Sequence, residues 1–385
     1  MQPAKIRVLH VVLSMETGGL ENGIVNLVNH SDKERFEVDI LCLRHRGELA
    51  DRISNPNSKV IFDEKAGEGI WASIKKIVQT CKLGNYHIVH SHGFTTMLTS
   101  YIAKLISPYP MIINGEHGTL YRDSLKQRLI QKFLFMKMDL NLSVSQDLKE
   151  TIISAFSIHK DNFHTIINGV DTDKFSNTGD LSSIFRQSLD IKDNDLIIGS
   201  VGRLVPVKNY PSLINAFSML LKSHPDCHLV LAGDGVEREL LKSHIDELGL
   251  QDKIHLLGRR DDIPSLMNQF DLFVLPSFSE GLSNTLLEAM SCGTPVIASD
   301  VGGNKEIILE GTTGYLYPSD DATSLANILK SLASNQTLIK KLSDNARKHI
   351  CHRFSIESMV RNYEDTYLNL IANQTECNSK QEVID

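Results

Sequence analysis

Asp271-Leu272-Phe273-Val274-Leu275-Pro276, leading into Glu280-Gly281-Leu282-Ser283-Asn284-Thr285-Leu286-Leu287-Glu288, is the stretch on which the fold turns. Its first part is a short apolar run of strand type, closed by proline. In its second part Ser283 and Asn284 are good N-cap residues, and Thr285 to Met290 favours helix until Cys292-Gly293 and Pro295 stop it. Strand, loop and helix in that order make the unit of an open α/β sheet. Glu280 then falls on the loop at the carboxyl edge, where ligands bind, and Glu288 roughly one turn into the helix. The helix start presents free N–H groups and a partial positive charge to anions. Taken singly, both glutamates read as solvated surface residues; their neighbourhood argues for a site.

The same alternation extends outward in both directions. Ile6–Leu13, Glu37–Leu43, His87–His90, Met111–Asn114, Leu140–Val144 and Phe163–Ile167 read as strands in the first half. Leu196–Val201, His228–Leu231, Lys253–Leu256, Asp271–Leu275 and Pro295–Ala298 restart the pattern in the second. Helical stretches lie between them, which predicts an α/β protein with parallel sheets covered on both faces. The polar stretch from about Asp173 to Asp195 reads as the hinge region. Expected domains are therefore 1–178 and 179–354, followed by a helix over 355–372 and a disordered tail over 373–385. Ile356, Met359, Val360, Tyr363, Tyr367, Leu370 and Ile371 recur on one face of that helix, which needs a surface to cover.

Composition agrees with this scale. A chain of 385 residues exceeds what one core usually serves. Hydrophobic content of 41% with 23% charged residues suits a soluble enzyme. A net charge of −7 argues against general affinity for nucleic acid, so an anionic substrate must be met by local cations. No apolar stretch approaches the roughly 20 residues a spanning helix requires. Met1-Gln2-Pro3-Ala4-Lys5 runs straight into a strand rather than a signal peptide, so a cytosolic protein is expected. Six scattered cysteines without a Cys-x-x-Cys pair fit reduced thiols and offer no zinc site.

Those cations are at hand. The strand ending at Val201 is followed by Gly202-Arg203, and Lys208 comes five residues later across a loop containing Pro206. Each alone reads as a solvated cation; as a pair at a strand's carboxyl end, near a helix start from the same sheet, they suit a diphosphate. Gly233-Asp234-Gly235 makes a tight turn at the same edge. It is not the dinucleotide fingerprint, because Arg238 stands where the third glycine should be. In the first half, Gly18-Gly19 precede a helix and let backbone approach a ligand, although a plain strand-helix turn would look the same. His90 and His92 share one face of their strand by alternation, and a histidine there is more often structural than catalytic. Glu116-His117-Gly118 repeats the pattern after the next strand. Polar groups at strand ends in both halves predict a cleft between domains.

Gly18-Gly19, Ser91-His92, Asn168-Gly169-Val170-Asp171, Gly202-Arg203 to Lys208, Gly233-Asp234-Gly235, Glu280 to Glu288, Gly293-x-Pro295-Val296-Ile297-Ala298 and Gly302-Gly303-x-x-Glu306 occur in this order. As a set they resemble a retaining glycosyltransferase of family 4, over about residues 5 to 372. The resemblance implies a GT-B architecture of two facing Rossmann-like domains, with a final helix crossing back to the first. It implies a nucleotide-sugar donor held mainly by the second domain and an acceptor entering over the first. Carried over by position, Arg203 and Lys208 would hold the donor diphosphate, Glu288 the ribose hydroxyls and Glu280 the hydroxyls of the donor sugar. Gly281, Leu282, Ser283 and Asn284 would lie along sugar and phosphates, Gly19 beside Gly18 near the phosphates, and His92 near the reacting sugar. The catalytic set is thus Glu280, His92, Arg203 and Lys208. Gly18, Gly19, His117, Asn168, Gly202, Gly233, Asp234, Gly281, Leu282, Ser283, Asn284 and Glu288 complete the substrate contacts.

Family frequency points to UDP as the nucleotide. Thr17-Gly18-Gly19-Leu20-Glu21-Asn22-Gly23 through Asn26-Leu27 resembles a bacterial subgroup associated with exopolysaccharide assembly, which implies a glycan or lipid-linked acceptor. The resemblance also implies retention without a protein nucleophile, the leaving diphosphate oxygen helping to remove the acceptor proton, and no metal or other cofactor. Asp171-Thr172-Asp173 and Asp193-Asn194-Asp195 spell Asp-x-Asp, as in metal-dependent transferases of another architecture; the first reads as part of a turn, the second as linker. A sugar-nucleotide epimerase on the same fold, a phosphorylase lacking any evident pyridoxal-binding lysine, and a non-catalytic nucleotide-sugar-binding subunit are the competing readings. Finally, Lys126, Arg128, Lys132 and Lys137 interleave with Leu129, Phe133, Leu134, Phe135, Met136 and Met138. That segment suits either peripheral contact with an anionic inner membrane or a partly buried helix with ordinary cations.

Overall fold

The computed structural model describes residues 5–381, apart from 17, 65, 66, 68, 108–110, 119–123 and 179–182. The chain divides into two compact units, Met1–Gly169 with Ile356–Asp385, and Val170–Ser355. The first is built on a parallel sheet of β1 (Ile6–Val12), β2 (Phe36–Cys42), β3 (Val60–Ile61), β4 (Ile88–His92), β5 (Met111–Glu116), β6 (Leu140–Ser143) and β7 (Phe163–Thr165). Their order across the sheet is β3-β2-β1-β4-β5-β6-β7. The second holds β8 (Leu196–Val201), β9 (Cys227–Ala232), β10 (Ile254–Gly258), β11 (Leu272–Leu275), β12 (Val296–Ser299) and β13 (Gly314–Tyr317). Their order is β10-β9-β8-β11-β12-β13, again all parallel.

Every residue of β8, β9, β11 and β12 is buried. A parallel sheet covered on both faces selects such continuous apolar runs rather than alternation. In each sheet the strand order reverses once, between β1 and β4 and between β8 and β11. A crevice opens at the carboxyl ends there, because the helices that follow the two central strands leave to opposite faces.

Several boundaries differ from the sequence expectation. β4 continues through His92 and β5 through Glu116, because Ser91 pairs with Asn114 and His92 with Gly115 in the ladder. β3 and β13 were not anticipated: the first is only two residues long, and the second opens on a glycine facing Val296. The chain enters the second unit at Val170, not 179. The Val170 N–H donates to the Phe354 carbonyl, and the Phe175 carbonyl accepts from Ser291 Oγ. The polar hinge stretch contains a helix, Ser183–Ser188, whose buried Arg186 donates to the carbonyls of Lys192 and Asp195.

The final helix spans Ile356–Gln381, past residue 372 where a tail was expected; residues 382–385 lie outside the described residues. Its Ile356, Met359, Val360, Tyr363 and Tyr367 join the core of the first unit with Val8, Ile24, Val28 and Phe36. The apolar stripe thus finds its surface. No helix among the described residues is long and apolar enough to cross a membrane.

Candidate functional site

The crevice between β8 and β11 gathers the predicted cations and the first glutamate. Lys208 sits at the end of a single 3-10 turn, Pro206–Lys208, after β8. Glu280 sits on the loop after β11. Lys208 Nζ lies 2.6 Å from Glu280 Oε1, and Ser277 Oγ donates to the same oxygen at 2.5 Å. Both charged side chains are mostly covered, at 17% and 11% exposure, which strengthens their attraction relative to a surface pair. Arg203 projects outward with no ion pair among the described residues. It is an exposed cation beside a compensated one.

The helix Asn284–Ser291 starts as its sequence predicts: Ser283 is the N-cap, and its hydroxyl accepts from the Leu286 N–H. Gly281, Leu282 and Asn284 line the approach to that helix start. Glu288 is half-buried on the second turn, and its carboxylate makes no hydrogen bond among the described residues. Burial pushes its pKa up to about 7, while Lys174 pulls the other way. A carboxylate held so near neutrality, with no hydrogen-bond partner among the described residues, is poised to accept from a ligand hydroxyl.

Two glycines are required by close approach. Gly233 has φ +144, and a Cβ there would collide with the Gly202 carbonyl. The Gly202 and Leu204 N–H groups donate across this seam to the carbonyls of Ala232 and Asp234. Gly202, Gly233 and Asp234 are therefore parts of one packed turn. Gly302, at φ +54, lies against the Glu280 carbonyl in the same way, and the Gly303 N–H donates to the Gly281 carbonyl. The backbone carrying Glu280 is thus clamped from the loop after β12.

In the first unit, the crevice between β1 and β4 holds imidazoles. His10 Nδ1 lies 2.8 Å from His92 Nε2, and His92 Nδ1 lies 3.1 Å from His117 Nε2. His90 stacks on His92 at 4.3 Å and reaches Tyr367 Oη at 2.9 Å. Burial drives all four histidines below their ordinary pKa, His10 to about 3 and His117 to about 4. They are neutral across the physiological range. His10, His92, His117, Asn168, Gly23 and Tyr363 border a small cavity. Gly18 caps the helix Gly19–His30 in extended geometry (φ −161), and its carbonyl accepts from Asn22, so that turn does not require glycine for its backbone. Next to the cluster, Glu116 is buried, accepts from Asn114 Nδ2 and is raised to about 7.

His10, Ser277 and Tyr367 escaped the sequence reading as site residues. The signal for His10 lies in strand order: only pairing of β1 with β4, which sets His10 opposite His90, brings it to His92. His10, His90 and His92 also offer ligand atoms within 4.8 Å of one another, a cluster that no spacing rule in the sequence marks. The two Asp-x-Asp stretches are otherwise engaged. Asp171 Oδ1 accepts from the N–H groups of Asp173 and Lys174, as the turn reading expects. Asp195 is not linker: it is buried and lies 3.1 Å from His228 Nε2. Of the interleaved segment, Leu134, Phe135 and Met138 are buried, whereas Leu129, Phe133 and Met136 on the helix Leu125–Lys137 are exposed.

Two family models cover the chain in succession: Glycosyltransferase Family 4 over residues 17–174, and Glycosyl transferases group 1 over residues 182–349. An uncharacterized glycosyltransferase of Methanocaldococcus jannaschii is 30% identical over 314 residues, 77% of this chain and 80% of that one. The Escherichia coli UDP-Gal:alpha-D-GlcNAc-diphosphoundecaprenol alpha-1,3-galactosyltransferase is 28% identical over 394 residues, 96% of this chain and 99% of that one. Among solved structures, Anabaena Alr3699/HepE in complex with UDP matches with TM-score 0.83 at 24% identity, covering 95% of this chain and 100% of the other. The last comparison speaks to the fold.

Proposed function

Because the chain belongs to glycosyltransferase family 4, a nucleotide-sugar-dependent class, we propose that it is a retaining transferase moving a sugar from UDP to a lipid-linked or glycan acceptor in polysaccharide synthesis. The observation that carries the reading is the Lys208–Glu280 pair in the β8/β11 crevice, beside the start of the helix Asn284–Ser291. A cation, a carboxylate and a helix N-terminus at a switch point offer a diphosphate and a polyol their complementary partners together.

In this reading Arg203, Lys208 and the helix start hold the donor diphosphate. Glu288 accepts from ribose hydroxyls, and Glu280 orients the sugar. The bond from the anomeric carbon to the diphosphate oxygen breaks with its electron pair going to that oxygen. The acceptor hydroxyl oxygen bonds to the anomeric carbon on the same face, and its proton passes to the departing phosphate. Lys208 and Arg203 stabilise the charge that grows on the leaving group, which requires no resident metal. Glu280 fixes orientation. His92 and His117, being neutral, suit hydrogen bonding rather than charge compensation.

A lipid-linked acceptor calls for access to a membrane surface. The helix Leu125–Lys137 carries Lys126, Arg128, Lys132 and Lys137 with no acidic residue, in a chain of net charge −7. Leu125, Leu129, Phe133 and Met136 are exposed along one stripe of it. Cations flanking an apolar stripe match an anionic lipid surface, and we assign the helix to that contact.

The test is a panel of nucleotide sugars assayed for nucleotide release, with Lys208→Ala and Glu280→Ala as controls. Release from one donor, lost in both variants, is expected. Absence of turnover with every donor, or full activity in both variants, would overturn the proposal.

A further inference from the structure

Four histidines and a tyrosine form one hydrogen-bonded chain in the first unit. From the cavity inward it runs His117 Nε2 to His92 Nδ1 (3.1 Å), His92 Nε2 to His10 Nδ1 (2.8 Å), His10 Nε2 to Tyr367 Oη (3.3 Å) and Tyr367 Oη to His90 Nδ1 (2.9 Å). His10, His90 and Tyr367 are almost wholly inaccessible, and His92 is 7% exposed. The inner end is His90 Nε2, which is buried and has no hydrogen-bond partner among the described residues. The chain draws on four places distant in sequence: β1, β4, the residue after β5 and the final helix.

Proton counting restricts what such a chain can be. Burial keeps the imidazoles neutral, so each carries one N–H and one lone pair. A hydroxyl has one proton. Were both flanking imidazoles to donate to Tyr367, its own proton would lack an acceptor in a dry site. Two uninterrupted arrangements remain, one the reverse of the other. If donation runs inward from His117, the last N–H falls on His90 Nε2 with nothing to receive it. If it runs outward from His90, that nitrogen keeps only an unfilled lone pair. Orphaned buried N–H groups are the rarer defect, so the outward direction is favoured.

We propose that Tyr367 is a positioning residue which, through His10, fixes the tautomers of His92 and His117, so that His117 offers an N–H at Nδ1 to a ligand at the cavity. His90 Nδ1–H donates to Tyr367, Tyr367 O–H to His10 Nε2, His10 Nδ1–H to His92 Nε2, and His92 Nδ1–H to His117 Nε2. The proton then sits on Nδ1 in all four rings. Tyr367 transmits the direction because its hydroxyl joins His90, the end whose unpartnered Nε2 favours it, to His10 and the rings beyond. The final helix therefore determines whether the cavity edge presents a donor or an acceptor. The tautomer chain stands on the first unit alone; its effect on turnover rests on the transferase reading.

The experiment is long-range 15N correlation spectroscopy of the full-length protein labelled at histidine. We expect His92 and His117 to show protonated Nδ1 and unprotonated Nε2 in the wild type. Tyr367→Phe, which keeps the ring and removes the proton donor, should mix the two forms at both residues. It should also lower kcat on the order of ten- to a hundredfold with the donor KM unchanged, as for a displaced catalytic contact. A wild-type spectrum with His117 protonated on Nε2 overturns the proposal, and needs no variant to fold. So does a Tyr367→Phe spectrum identical to the wild type, or an unchanged kcat in a variant whose tautomers have mixed. Conforming spectra in a protein that turns over no donor would leave the chain intact and refute the transferase reading instead.

Discussion

Lys208 and Glu280, on loops that follow two adjacent strands of one sheet, meet at 2.6 Å with little exposure to solvent. Neither charge is tolerable there without the other or a ligand, so their substitutions should be strongly coupled. We expect Lys208→Ala and Glu280→Ala each to lower kcat/KM by about 10²–10³, as for loss of one preorganised charged contact. The double variant should fall well short of the sum, with a coupling of roughly 0.5–3 kcal/mol for residues in contact. Steady-state kinetics on the four proteins decides it; additivity would mean that the pair acts as two separate sites.

Glu288 links pH to donor binding. Its pKa rises from 4.5 to about 7 on burial, so the folded chain holds a proton that the unfolded chain loses between those values. Stability from this group is fully present below about pH 4.5 and is lost as pH rises through about 7. A ribose hydroxyl, by contrast, is best accepted by the ionised carboxylate. Donor affinity measured by calorimetry should therefore rise from pH 6 to pH 8 while the melting temperature of the free protein falls over the lower part of that window. Glu288→Gln should flatten both trends, and an unchanged pH profile in that variant would remove the assignment.

Gly302→Ala tests the clamp behind Glu280. A Cβ there meets the Glu280 carbonyl, and the backbone has φ +54. Strain of this kind costs about 1–3 kcal/mol, visible as a lowered melting temperature. Because the displaced backbone carries Glu280, turnover should fall further than stability does. Gly249→Ala is the control: its φ is +66, but a Cβ there meets nothing within 4 Å. It should lose stability and keep activity.

Flotation with anionic vesicles tests the helix Leu125–Lys137. Binding should weaken with added salt and drop by about thirtyfold or more on Lys132→Glu with Lys137→Glu, each cation near an anionic surface contributing about 1 kcal/mol and each new carboxylate being repelled. Leu129→Glu should reduce it at any salt concentration. Equal flotation of all the variants would return these residues to ordinary surface.

The fold was legible because strand-helix alternation is a local property of the chain, and the long apolar runs of β8, β9 and β11 record a sheet buried on both sides. The loop-to-helix segment from Glu280 to Glu288 was legible for the same reason: Ser283 caps the helix whatever surrounds it. The partners of those residues were not. Nothing in the neighbourhood of Ser277 announces that its hydroxyl donates to Glu280, and His10 meets His92 only through strand order. The entry to the second unit at Val170 also escaped, since it depends on an N–H donated to Phe354, far along the chain. Composition marked 173–195 as a linker, yet packing of Arg186 against backbone carbonyls makes part of it structure.

The return of Ile356–Gln381 to the first unit has a consequence for how the protein is made. Ile24, Val28 and Phe36 emerge from the ribosome before the second unit, but Met359 and Tyr363, which join them in one core, emerge only after it. At ordinary elongation rates the intervening second unit takes roughly ten to forty seconds to synthesise. Throughout that interval the nascent first unit displays an open apolar face, a target for chaperones and for aggregation. A ribosome that stalls within Ile356–Gln381 holds a chain whose second unit is fully synthesised and whose first unit is still uncovered.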